Sequence, residues 1–158
     1  MNDAQAHCDH LQALWNEHFP LSAAMNVQVV SFADHALTTR TGLQANTNIH
    51  NTAFAGSLYA IESLTAWGVL YLELRQAGFD ASIIHARGNI DFDAPLRDDI
   101  VAVSDFSGNQ HIFDELPTTG KARLSLQTQV FAAADQELTE AVSRFDGLYV
   151  VRLNRADP

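Results

Sequence analysis

The chain has 158 residues, with 9 Lys+Arg against 19 Asp+Glu and a formal net charge of -10. That length suits a single domain, 1–158, whose core needs neither metal nor disulfide, and so acidic a surface excludes nucleic-acid and anionic-membrane partners. The lone cysteine, Cys8, forms no internal disulfide, and the polar start lacks a leader's basic and apolar regions, so a cytoplasmic protein is expected.

The first 20 or so residues read as an N-terminal helical segment. Asp9 is placed to cap it, with Gln12 three residues on. Leu11, Leu14, Trp15 and Phe19 make its apolar stripe, and Pro20 stops it. Asn26 to Phe32 and Ala36 to Leu43 read as two strands joined by a hairpin turn at Ala33-Asp34-His35. A polar loop rich in asparagine, Gln44 to Ala55, then runs into a long helix, Gly56 to Ala77, ended by Gly78.

Strands dominate the rest. Ile84, Ala86, Gly88, Ile90 and Phe92 alternate with His85, Arg87, Asn89 and Asp91, a period-2 pattern ended by Pro95. Ile100 to Phe106 follows. One helical turn is expected near His111 to Leu116, and Lys121 to Ala133 and Leu138 to Leu153 pair about Ala134-Asp135-Gln136. The short loops make these strands antiparallel. The long helix is apolar on almost every side, so it must be buried on almost every side. One curved antiparallel sheet around one central helix satisfies that: an α+β chain of the hot-dog architecture.

The chemistry concentrates where the asparagine loop meets the long helix. A helix start presents unpaired N–H groups and the positive end of the dipole, both suited to a carbonyl oxygen that gains negative charge. Gly56 has no side chain, so a substrate carbonyl can approach the backbone closely. Asn48 and His50 add neutral polar groups upstream. The plainer alternative is an ordinary capped helix start, with Ser57 or Asn51 as cap and turn former.

Pro20-Leu21-Ser22 with Met25, then Asn48, Thr52, Phe54, Gly56-Ser57-Leu58-Tyr59, Trp67-Gly68, Ala86 to Pro95 and Phe145-Asp146-Gly147-Tyr149 give the chain a family likeness. In order and spacing they resemble the thioesterase-like hot-dog domain at the C-terminus of YiiD-type bacterial proteins. The resemblance implies an acyl-CoA or acyl carrier protein thioester as substrate. Coenzyme A or phosphopantetheine is then part of that substrate, and no separate cofactor or metal is implied. It also implies a homodimer, or a dimer of dimers, with sheet edges joined between subunits. In the wider superfamily a loop Asn precedes a His-Gly-Gly signature, and a helix carboxylate activates water. Here the Asn falls on Asn48 and the second glycine on Gly56. Phe54 and Ala55 replace the His-Gly, and Ser63 stands at the carboxylate position.

These departures leave several residues competing. Glu62 adjoins Ser63 but lies on another helix face, in a stripe with Thr65, Glu73 and Gln76 that reads as an edge meeting solvent or a partner. Gly56 and Asn48 would hold the carbonyl, with Ser63, Glu62 or His50 in the remaining polar role. Phe54, Thr52 and Ser57 would contact substrate. Hydrolysis is the first reading. Malonyl-thioester decarboxylation, which needs an oxyanion site and no base, is the second, and a non-catalytic acyl-binding module the third. His7-Cys8-Asp9-His10 lacks the fourth ligand and rigid frame of a zinc site. His35, His85 and His111 read as surface residues. Arg87, Arg97, Lys121 and Arg123 are candidates to grip carrier phosphates, with outward strand positions and acidic neighbours the preferred reading for Arg87 and Arg123.

Overall fold

The computed structural model describes residues 3–154; Met1, Asn2 and positions 155–158 of the expected 1–158 domain lie outside the described residues. The elements in chain order are α1 (Asp3–His18), α2 (Pro20–Ala24), β1 (Gln28–Ala33), β2 (Ala36–Thr41), a 3-10 turn (Leu43–Asn46) and α3 (Ala55–Gln76). Then come β3 (Ala81–Phe92), β4 (Ile100–Asp105), α4 (Ile112–Thr119), β5 (Lys121–Ala132) and β6 (Ser143–Leu153). The six strands form one antiparallel sheet in the order β1-β2-β4-β5-β6-β3. The sheet curves around α3, as the all-round apolar character of that helix requires.

The inner face reads off the register. Leu37, Thr39 and Thr41 of β2 point to the core, as do alternate residues of β5 (Ala122, Leu124, Leu126, Thr128, Val130). The first hairpin turns at Asp34 and His35, both at positive φ (50 and 64°), the two-residue geometry that matches strand twist. Helix α1 packs beside α3 through Leu11 and Trp15, both fully buried. It also closes one sheet edge: the Gln12 carboxamide accepts from Val29 N–H at 2.7 Å and donates to the Val27 carbonyl at 3.1 Å.

Several sequence expectations shift. Asp9 is no cap: α1 starts six residues earlier, and Gln5 Nε2 donates to Asp9 Oδ1 from one turn back. The first helix does end before Pro20, at His18, and Pro20 then opens the short helix α2, its missing N–H costing nothing at that position. The single turn expected near His111 is a two-turn helix running through Pro117. Strand β6 begins at Ser143 rather than Leu138, because Asp135 accepts from the N–H groups of Thr139 and Glu140 and folds 135–140 into a loop.

The largest correction concerns the stripe Glu62, Thr65, Glu73. It faces the sheet, with Glu62 and Thr65 fully buried and Glu73 nearly so. Each is answered by a side chain from below: Ser143 donates to Glu62 Oε2 (3.0 Å), Thr39 pairs with Thr65 (2.8 Å) and His35 with Glu73 (2.9 Å). Matched polar partners on β2, on β6 and in the first hairpin turn allow that face to be buried.

Strand β3 also departs from simple alternation. Its register with β6 passes from His85↔Tyr149 to Arg87↔Leu148, leaving Ala86 bulged out. The bulge shifts the phase, so His85 and Gly88 both face the helix and Ile84 points outward, 45% exposed. On its far side β3 bonds to no other strand among the described residues. No helix there is long and apolar enough to cross a membrane.

Candidate active site

The loop before α3 is built by asparagines. Asn46 is buried and donates to the carbonyls of Met25 (3.0 Å) and Gly42 (2.9 Å) and to Thr41 Oγ1 (3.1 Å), tying α2, β2 and the loop together. Thr41 Oγ1 also donates to the Met25 carbonyl. Asn48 Oδ1 accepts from His50 N–H (2.8 Å) and Thr52 N–H (3.3 Å), and Asn48 Nδ2 donates to Thr52 Oγ1 (2.9 Å). The carboxamide of Asn48 is thus spent on the loop, and Thr52, 7% exposed, is its partner. His50 sits exposed at the loop tip, beside Ile49 and next to Asn51, whose φ is 55°. Outside this turn, Phe54 N–H bonds the Asn46 carbonyl at 2.7 Å and Ala53 N–H the Leu96 carbonyl at 2.8 Å, which fixes where the helix begins.

Helix α3 starts without a side-chain cap and without an acidic residue in its first turn. Its first intrahelical bond runs from Leu58 N–H to the Phe54 carbonyl. The N–H groups of Ala55, Gly56 and Ser57 therefore remain uncapped at the positive dipole end. Neither Ser57 nor Asn51 takes the cap role. The Phe54 ring lies over Gly56: a Cβ there would sit 2.4 Å from Cε1 and 2.8 Å from Cζ. Phe54 is 53% exposed, so its ring shields the glycine from one side only.

From Gly56 the same helix face continues through Ala60, Ser63 and Trp67, at spacings of four, three and four. A groove of about 250 Å³ runs along it. Ala60, Leu64 and Trp67 form the helix wall, and Phe19, Leu21 and Met25 form the facing wall from α2 and its entry. Trp67 stacks on Tyr71 (5.1 Å, 11°) and meets Phe19 at 5.1 Å, so the wall is a continuous aromatic surface. Ser22, Ser63 and His85 are the polar residues of the lining. Ser63 Oγ bonds its own helix at the Ala60 carbonyl (3.1 Å), and its carbonyl accepts from the Tyr149 hydroxyl (2.9 Å).

The sequence-named residues thus divide. Ser63 lines the groove; Gly56 lies on the same helix face one turn before Ala60, and Gly56, Phe54 and Ser57 are outside the lining itself. Asn48 and Thr52 organise the loop behind it, and His50 lies outside the lining. Glu62 is in the core, fully buried on the sheet side. Burial pushes its carboxyl up from 4.5 to about 8, only partly opposed by the Ser143 hydrogen bond, so it is mostly a neutral acid at pH 7. Its Oε1 has no partner.

Sequence reasoning missed His85. Alternation assigned it to the polar outer face, and it is exposed as a surface residue is, but the bulge at Ala86 sets its ring on the α3 side of the sheet, which no residue type announces. Its ring stacks on Tyr149 (4.9 Å, 17°) and Tyr59 (6.3 Å, 26°) and meets Phe145 edge-on (5.6 Å, 71°). His7 contacts Gln76 and His10 contacts Tyr71, and no group of three His, Cys, Asp or Glu converges as a metal site among the described residues.

Comparisons with known proteins bear on the fold and the family. A putative thioesterase from Shewanella oneidensis is 29% identical, with a TM-score of 0.82 over 95% of this chain and 99% of that one. A protein of unknown function from Chlorobaculum tepidum TLS is 27% identical, with a TM-score of 0.85 over 93% of this chain and 94% of that one. A probable thioesterase from Pseudomonas aeruginosa, at 20% identity and a TM-score of 0.76, covers 92% of this chain and 95% of that one, and shares the fold. The family model described as "Putative thioesterase (yiiD_Cterm)" matches residues 8–153, and the chain belongs to that hot-dog family.

Proposed function

We propose that the chain hydrolyses acyl thioesters of coenzyme A or of an acyl carrier protein. In this reading the acyl group lies in the groove beside Ala60, Leu64 and Trp67, and the thioester carbonyl meets the N–H of Gly56. The observation that carries it is the coincidence of an uncapped α3 N-terminus at a side-chain-free position with an apolar groove on the same helix face. Attack on a thioester puts negative charge on the carbonyl oxygen, and preorganised N–H donors at that oxygen are worth roughly 3–4 kcal/mol each. Ser63 would orient substrate or water, and Phe54 and Ser57 would border the carbonyl. Asn48 and Thr52 would hold the loop that sets Gly56. The carboxylate of the usual mechanism is absent here: Glu62 lies in the core.

A homodimer belongs to the same reading. Among the described residues the outer edge of β3 pairs with no strand and has Ile84 and Phe92 half exposed along it, whereas α1 covers the β1 edge. Pairing β3 with its symmetry mate would extend one sheet through both subunits. A cytoplasmic location accords with the single, buried Cys8. Decarboxylation of a malonyl thioester is the second reading. It is favoured by one observation: among the described residues no carboxylate lines the groove.

The test is mass spectrometry of the protein incubated with acetyl-, malonyl-, hexanoyl-, palmitoyl- and benzoyl-coenzyme A and malonyl carrier protein. Free thiol from several acyl groups supports hydrolysis. Acetyl thioester from malonyl substrates alone transfers the assignment to decarboxylation. Bound but unconverted substrate transfers it to a binding module.

A further inference from the structure

The groove lacks an assigned base, and the fold supplies one. Resting on the hydrolase reading above, we propose that Nδ1 of His85 takes the proton from the water that attacks the thioester. Among the described residues His85 is the only titratable side chain lining the groove; it borders it with Ser63 and is open to solvent. Its ring is held in one orientation between Tyr59 of α3 and Tyr149 of β6. Nε2 lies 3.0 Å from the Arg87 carbonyl across the bulge. A carbonyl only accepts, so Nε2 carries the hydrogen and the neutral ring keeps its lone pair on Nδ1. The box itself is built by absence: Gly88 and Gly147 are cross-strand partners, and a Cβ on Gly88 would strike the Tyr59 hydroxyl at 2.5 Å and Phe145 at 2.6 Å. Packing alone does not call for an imidazole there, since an apolar ring would fill the same box.

The step balances without a further reactant. The water oxygen bonds to the thioester carbon while its proton passes to Nδ1, and the carbonyl electrons move to the oxygen facing Gly56. Collapse breaks the C–S bond, and the proton on Nδ1 passes to sulfur. The acid product then ionises to solvent. The titratable groups facing the ring are Tyr59 from α3 and Tyr149 from β6. Arg87 presents its carbonyl, and α2 across the groove presents none. Burial pushes the Tyr149 hydroxyl far up, so it stays neutral through the assay range.

The experiment measures thiol release from the best acyl-coenzyme A substrate between pH 5 and 9 for wild type, His85→Gln and His85→Ala. Gln keeps an N–H for the Arg87 carbonyl and a planar group in the stack, which guards against loss of fold; thermal melting checks it. The expected result is a fall in kcat of about a hundredfold or more with KM little moved. The acidic limb of the pH profile disappears, and added imidazole restores part of the activity to His85→Ala. Activity of His85→Gln within about threefold of wild type, with the same pH profile, overturns the proposal. A lower kcat with an unchanged profile and no imidazole rescue also overturns it, because that is the signature of a structural role. If wild type releases no thiol, the hydrolase reading itself falls and this assignment with it.

Discussion

Glu62→Gln should stabilise the protein, and more so as pH rises. In the fold the carboxyl is fully buried, bonded on one oxygen to Ser143 and unpartnered on the other. In the unfolded chain it ionises near 4.5, whereas in the fold it holds its proton to about 8. Below 4.5 both states are protonated and the group costs nothing. Above that, the unfolded chain gains charge in water while the fold stays neutral, so stability falls as pH rises and levels off above 8. A tenfold change in proton affinity is worth about 1.4 kcal/mol, so the cost is about 3 kcal/mol at pH 7 and roughly 5 kcal/mol above pH 8. Gln keeps an oxygen for the Ser143 hydroxyl and does not titrate. Urea unfolding of both proteins at pH 4.5, 7 and 8.5 tests this, because shared contributions such as the hydrogen-bonded Asp99 and Asp135 cancel in the difference. Equal stability at pH 4.5 and a growing advantage for Gln at 7 and 8.5 are expected. A Glu-Gln difference that does not change with pH, or a Gln variant less stable at pH 8.5, refutes the buried-acid reading.

Substitutions at three further positions probe the scaffold and the site. Gly68→Ala places a Cβ 2.7 Å from both Leu37 Cδ2 and Trp15 Cζ2. Both are fully buried, so overpacking should cost about 1–3 kcal/mol and lower Tm by several degrees in a melting experiment. At Gly56→Ala the obstacle is the half-exposed Phe54 ring, which can swing out. Tm should hold to within about 2 °C while thiol release drops, because the methyl intrudes on the carbonyl site. Asn48→Ala removes the acceptor of His50 and Thr52 N–H and should cost about 1–2 kcal/mol in urea unfolding, while Asn48→Asp, still an acceptor, should lose less.

What the sequence revealed followed from periodicity. An apolar helix of some twenty residues followed by short-looped alternating strands leaves few packings, and the curved sheet around α3 is one of them. The start of the long helix was legible because a glycine after an asparagine loop has a local reason to be there, and α3 begins at Ala55, one residue before Gly56. The misses share another cause. Glu62, Thr65 and Glu73 look like a solvent-facing edge until Ser143, Thr39 and His35, 26 to 81 residues away in the chain, supply their partners. His85 was assigned to the wrong face because one bulged residue, Ala86, inverts the phase of the strand. The bonds of Asn48 to His50 and Thr52 depend on a turn that spacing does not reveal.

The most direct test is a crystal structure of the protein with hexanoyl-coenzyme A in which a methylene separates the carbonyl from sulfur, a ketone that resists hydrolysis. The account predicts the ketone oxygen at hydrogen-bond distance, about 3 Å, from Gly56 N. The alkyl chain should lie against Ala60, Leu64 and Trp67, with His85 facing the carbonyl carbon. An analogue seated elsewhere, with the Gly56 N–H and the groove beside α3 both empty of it, would contradict the account.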